Sequence, residues 1–178
     1  MSHIIKIDDQ LYLDIIKPID KPRLIELLRE RKIYEQTLVI PFPYTEADAD
    51  WWVKENQKKL VENGHPLSYA IRNQDGLLLG SIGFHSLGVG KDFKAEIGYW
   101  LGKPYWGQGI MSKVVKKLCS VGFTQFGLVR ITAHIFHFNK GSEMVLLKSG
   151  FTQEGYFKKY YKKDGAYYDA KVFAIIKP

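Results

Sequence analysis

Apolar and polar positions along the chain change rhythm several times, and each change predicts an element. "LYLDIIK" (11–17) alternates as a strand, after which Leu24, Leu27 and Leu28 share one helical face. Asp20 as N-cap and Pro22 in the first turn open that helix. "VIPFPYT" (39–45) holds two prolines and reads as an extended loop. Thr45 and Asp48 form a capping-box pattern, with Asp in the place of Glu, that opens a second helix to about Asn63. The period then shortens to two. "LSYAIRN" (67–73) and "LLLGSIGFHSL" (77–87) read as strands around an Asp75-Gly76 hairpin signal, and "KAEIGYWL" (94–101) as a third.

From Gly107 the helical period returns. Ile110, Val114 and Leu118 form one row and Met111, Val115 and Cys119 the next, with Lys113, Lys116 and Lys117 on much of the remainder. "LVRITAHIF" (128–136) is a strand, and "KGSEMVLLKSG" (140–150) a short helix ending at Gly150. Two strands around Asp164-Gly165 close the chain. This succession predicts an α+β (mixed α/β) fold, not a repeating βαβ array. With no internal repeat, low-complexity stretch or linker, residues 1–178 read as a single domain.

The stretch "KPYWGQGIMSKVVKKL" (103–118) carries the chemistry. Two glycines, Gly107 and Gly109, stand where a strand gives way to a helix. A first helical turn presents N–H groups without intrahelical partners at the positive end of the macrodipole. Glycine there leaves bare backbone, which suits a phosphate or pyrophosphate, although a lone Gly-x-Gly is also an ordinary turn. Position 112 is Ser and no Gly-Lys-Ser/Thr follows, so neither the dinucleotide fingerprint nor a P-loop is present.

The stretch resembles the acetyl-CoA motif of the GNAT N-acetyltransferase superfamily, in particular its RimJ/RimL branch. Four blocks carry the resemblance: "LYLDIIKPID", "PFPYTEADADWW", "AEIGYWLGKPYWGQGIMS" and "NKGSEMVLLKSGFTQEGYFKKYY". It implies a mostly antiparallel twisted sheet of about seven strands flanked by four helices, with acetyl-CoA as cosubstrate and no metal. By the same resemblance, Leu101 pairs through its backbone with pantetheine. Trp106, Gly107, Gln108, Gly109, Ile110 and Met111 cradle the pyrophosphate, with Ser112 just inside the helix. Asn139 meets the cofactor near its pantetheine arm, or simply caps its helix. Trp106 and Met111 depart from the residues preferred across the superfamily, leaving Lys103 or Lys148 to neutralise the phosphates. Leu146 stands where many members carry a thiolate-protonating tyrosine, and Ser142 is the substitute donor. Tyr161 stands where ribosomal-protein enzymes carry a glutamate. Trp51, Trp52 and the "IPFPYT" loop line the acceptor side.

The reaction so implied is direct acetyl transfer to a primary amine, on a protein N-terminus or a small molecule. Glu96, on the strand leading to the cofactor, is the candidate base, and a structural glutamate is the other reading. The sole thiol, Cys119, falls on the apolar helix face and reads as core rather than nucleophile. His134 and His137, three apart on a strand, point to opposite faces and cannot chelate one metal. His85 sits on a central strand within possible reach of substrate. A non-catalytic acyl-CoA-binding or regulatory module on the same fold is the alternative, which Leu146 and Tyr161 keep open.

Composition adds limits. A single cysteine excludes an internal disulfide and any cysteine-built metal site. "MSHIIKIDDQ" lacks a signal peptide's apolar core, and no apolar run approaches the roughly 18 residues of a membrane span. A cytoplasmic protein without a membrane partner is therefore expected. The net charge of +7 fits an anionic partner or a solubilising lysine-rich surface, and disfavours strongly cationic acceptors. A local acidic patch of Glu46, Asp48, Asp50 and Glu55 works against that bias. No recognition motif supports a nucleic-acid partner, and a homodimer is left open.

Overall fold

In the computed structural model, which describes residues 3–85, 87–88 and 90–178, the predicted rhythm becomes eight strands and five α-helices. They are β1 (Ile5–Lys6), β2 (Leu11–Asp14), α1 (Lys21–Leu28), α2 (Arg31–Gln36), α3 (Glu46–Asn63), β3 (Ser68–Asn73), β4 (Leu78–His85), β5 (Lys94–Leu101), α4 (Ile110–Gln125), β6 (Arg130–Phe136), α5 (Lys140–Lys148), β7 (Thr152–Lys163) and β8 (Ala166–Ile176). One strand and one helix more than expected come from short pieces, β1 and α2. Too few residues lie in either to show a period. Of the strand predicted over 77–87, position 86 lies outside the described residues, as do positions 1 and 2 of the start.

The chain forms two compact units, Met1–Gly83 with Tyr99–Gln108 and Phe84–Gly98 with Gly109–Pro178. In the first, β1, β2, β3 and β4 pair antiparallel in that order. Leu24 and Leu28 of α1, together with Ile33, Ala49 and Val53, bury against Ile16, Ala70 and Leu78, and Trp52, Trp100 and Trp106 pack on the same cluster. The capping box at α3 is present: the Asp48 N–H donates to Thr45 Oγ1, and Asp48 Oδ2 accepts the Thr45 N–H at 2.8 Å. Asp20 departs from its predicted task. It precedes α1 but makes no side-chain cap. Its carboxylate instead accepts two bonds of 2.8 Å from Arg72 and one of 2.7 Å from the Lys17 N–H. Both charged side chains are buried, so this bidentate pairing offsets the desolvation of each.

In the second unit the strand order is β5, β6, β8, β7. Every pairing there is antiparallel except β5 with β6. Period-two alternation separates two faces. Ala95, Ile97, Ile131, Ala133 and Ile135 are buried on one, together with Val114, Val115 and Leu118 of α4. Glu96, Thr132 and His134 belong to the other. Lys163 and Ala166 pair directly across Asp164-Gly165, both at positive φ, which is the two-residue hairpin turn the sequence signals. No helix among the described residues is long and apolar enough to cross a membrane.

Candidate active site

The glycine turn has the predicted backbone. Gly107 and Gly109 both sit at φ 75°, and a Cβ built on either would meet nothing within 4 Å. The left-handed conformation favours glycine at both positions, and the space above the main chain is open. Gly109 occupies the N-cap of α4 without any side-chain cap, so that helix presents its first N–H groups outward. This is a backbone concavity able to accept a pyrophosphate. Acetyl-CoA therefore fits the residues present.

Side chains around the turn serve other ends. The Trp106 indole N–H donates to the Leu101 carbonyl at 2.7 Å, and the Gln108 amide to the Pro104 carbonyl at 3.0 Å. Both brace the loop from within its own unit. One lone pair of the Leu101 carbonyl is thereby occupied. Met111 is buried, so only its main chain is offered outward, and Ile110 is half-buried. Ser112 accepts the Ser149 hydroxyl at its carbonyl, which ties the start of α4 to the end of α5. Lys103 pairs with Glu30 at 2.9 Å, which also holds that carboxyl below its usual range, while Lys148 is exposed in the last turn of α5.

Asn139 keeps the bland half of its prediction. Its buried side chain caps α5 by accepting the Ser142 N–H at 3.0 Å. Ser142 is half-buried in the first turn of α5, and Leu146 is fully buried. Cys119 is buried in α4, and that burial pushes its thiol up to about 12, far from a reactive thiolate.

Glu96 stands at a break in the sheet. The parallel ladder runs Lys94↔Arg130, Ala95↔Ile131 and Glu96↔Thr132, then ends although both strands continue. Past this point the β5–β6 pairing does not extend to Ile97 and Gly98, while β5 keeps β4 as its other neighbour. The Glu96 side chain is 41% exposed, with Oε2 3.0 Å from His134 Nδ1. The Tyr161 hydroxyl is held above its usual range, first by burial and then by the Glu96 charge. His85 shares this face: a Cβ at Gly98 would fall 2.0 Å from its Nε2, so glycine makes room for the imidazole across β5.

Sequence reasoning missed His134 and the aromatic residues around it. Alternation alone put Thr132 and His134 on one face, but the register that brings Glu96 opposite is long-range. Tyr160 stacks on His134 at 5.6 Å and 14° because β7 bulges between Phe157↔Ala170 and Tyr161↔Tyr168, three residues facing only Asp169. Asp169 pins the bulge: it accepts the Lys159 N–H at 2.8 Å, the Tyr156 hydroxyl at 2.9 Å and Lys158 at 3.0 Å. Lys159 takes a left-handed φ of 48° to make that bond.

Two acceptor-side expectations change. Trp52 packs into the first unit's core while Trp51 is 65% exposed. The acidic patch is largely neutralised: Asp48 caps α3, Asp50 pairs with Lys21 and Glu55 lies 3.4 Å from Lys59. A cavity of about 330 Å³ lies in the first unit between Pro18, Asn56, Leu60, Pro66 and Ser68, and holds none of the predicted site residues. No cluster of three or more metal-ligating side chains occurs among the described residues.

Residues 10–152 match the family model described as an acetyltransferase (GNAT) domain. The ribosomal-protein-serine acetyltransferase of Escherichia coli (strain K12) is 31% identical over 179 residues, spanning 99% of this chain and 98% of that protein. An uncharacterised N-acetyltransferase of Bacillus subtilis (strain 168), YoaA, is 44% identical over 120 residues, 67% of each chain. Among solved structures, the ribosomal L7/L12 alpha-N-protein acetyltransferase RimL in complex with coenzyme A superposes with a TM-score of 0.85 at 25% identity, covering 97% of both chains.

Proposed function

The chain belongs to the GNAT acetyltransferase family, and we propose that residues 1–178 act as one catalytic domain moving an acetyl group from acetyl-CoA directly to a primary amine. The acceptor is a protein N-terminal α-amine or a small-molecule amine, met in the cytoplasm. RimL, to which the chain is similar, is a ribosomal L7/L12 alpha-N-protein acetyltransferase, which supports the first class. Tyr161, in the place of that branch's glutamate, weighs against an identical substrate.

The uncapped start of α4 carries the reading. Gly107 and Gly109 give the pyrophosphate an open main-chain cradle, with the first N–H groups of α4 as donors. The Leu101 backbone pairs with the pantetheine arm, and Asn139 holds the first turn of α5 in place. Acetyl-CoA supplies an activated thioester. The protein must neutralise the amine, orient it and meet the departing thiolate. Glu96 is the exposed carboxylate at the strand break and receives the ammonium proton. Ser142 donates a hydrogen bond to the sulfur as charge develops there, since the buried Leu146 carries no donor. Direct attack is favoured over an acyl-cysteine because burial holds Cys119 as a thiol.

A panel of amines and peptides, with free CoA measured against time, tests the proposal. Turnover with at least one primary amine is expected. Acetyl-CoA binding without CoA release for any acceptor would overturn it.

A further inference from the structure

His134 presents an unexplained nitrogen. Its Nδ1 is buried and makes no hydrogen bond, yet lies 3.0 Å from Glu96 Oε2. The two atoms are close enough for an ion pair but not aligned for an N–H···O bond. A buried ring nitrogen left unsatisfied costs stability, so a site that keeps one invites a functional explanation. The imidazole is also held in place. Tyr160 stacks on it and Phe157 lies 6.4 Å away, both on the strand whose bulge Asp169 pins. Position adds to this, because His134 follows by two residues the last β6 partner of β5.

We propose that Glu96 and His134 form a proton-accepting pair in which His134, a positioning residue, receives through Glu96 the proton lost by the acceptor ammonium. The inference rests on Glu96 being the base. In the neutral ring, Nε2 carries the hydrogen and Nδ1 the lone pair. The ammonium N–H bond breaks towards a Glu96 oxygen, and the proton on Oε2 then passes to Nδ1. A neutral amine, a carboxylate and an imidazolium result. One proton has moved and no further reactant is needed. The gain is chemical matching: an ordinary carboxyl near about 4.3 is a poor base for an α-amine near about 8, and an ordinary imidazole near about 6.5 narrows the gap. The imidazolium is formed against a carboxylate, which favours it.

Few other charges face the pair among the described residues. Lys94 lies on the same face of β5 with its ammonium over the Phe93 ring, and Arg130 of β6 is engaged by Glu154 of β7. β7 contributes Tyr160 and Tyr161, and β4 contributes His85 across Gly98. β8 offers Val172 opposite His134, while Lys171 turns to the other face and pairs with Glu143 of α5 at 2.7 Å.

The test compares His134→Gln and Glu96→Gln with the unaltered full chain. kcat/KM is measured against pH for acceptors whose amines titrate between about 6 and about 10. At pH 7, His134→Gln should lose tenfold or more with the most basic acceptor and little with an acceptor already neutral. Its acidic limb should move, while acetyl-CoA affinity stays unchanged. Nitrogen-15 NMR of the imidazole should show the Nε2–H tautomer. An equal loss for every acceptor with an unmoved acidic limb, or a Nδ1–H tautomer, would overturn the pair. If Glu96→Gln is slow but His134→Gln is not, the pair fails and Glu96 survives as base. If Glu96→Gln keeps full activity, the reading of Glu96 itself fails.

Discussion

In the proposed cradle at residues 106–112 the backbone is what a ligand would meet, whereas around Glu96 the side chains are. The turn offers left-handed glycines, open space and an uncapped helix start, and its side chains brace the loop instead of facing outward. At Glu96 the main chain supplies only a place, the end of a parallel ladder. Everything chemical there comes from carboxylate, imidazole and phenol drawn from three strands. The first arrangement suits an anion of fixed geometry, as proposed, and would tolerate a change of the side chains that surround it. The second must handle a proton, and so depends on which groups meet and at what distance.

If this contrast is right, substitutions should separate binding from turnover. Glu96→Gln keeps the shape and removes the base, so kcat/KM should fall about 10²- to 10⁴-fold with acetyl-CoA affinity unchanged by calorimetry. A parallel loss of affinity would blur the division. Ser142→Ala should lower kcat about five- to 150-fold, roughly 1–3 kcal/mol of transition-state stabilisation, again without weakening acetyl-CoA. If affinity falls and kcat holds, Ser142 belongs with the binding turn.

The turn should respond in the opposite sense. Gly109→Val puts a β-branched side chain at φ 75° into the open space above the cradle. Acetyl-CoA affinity should drop about tenfold, about 1.4 kcal/mol, with kcat at saturation largely kept and the fold verified by circular dichroism. Unchanged affinity in a folded variant would remove the cradle from this position.

The smallest effect concerns what supports the cluster. The Lys159 N–H, then Lys158, hold the Asp169 carboxyl down at about 2. An unfolded Asp titrates near about 3.9. Its contribution is therefore present at neutral pH and lost as pH falls from about 4 towards 2. Asp169→Asn should unfold more easily than the natural chain in denaturant at pH 7, and the difference should close over that acid window. A gap that persists at pH 2 would mean the carboxylate charge is not what pins the bulge.

Much of this protein was legible from local pattern. The Thr45–Asp48 cap, the two Asp-Gly hairpins, the buried rows of α4 and the glycine turn each depend on residues within a few positions of one another. The proposed acetyl-CoA cradle was legible for the same reason, since it consists of consecutive backbone. Tertiary structure alone decided the rest. Asp20 had the sequence of a cap, but Arg72, 52 residues away, took its carboxylate. The Trp106 indole, whose partner the sequence did not indicate, donates to the Leu101 carbonyl. His134 met Glu96 only because β5 and β6 pair for three residues and part, and Tyr160 reached it only because Asp169 opened a bulge two strands away. Strand register and bulges are fixed by contacts distant in sequence, and a shift of one residue moves every side chain to the other face.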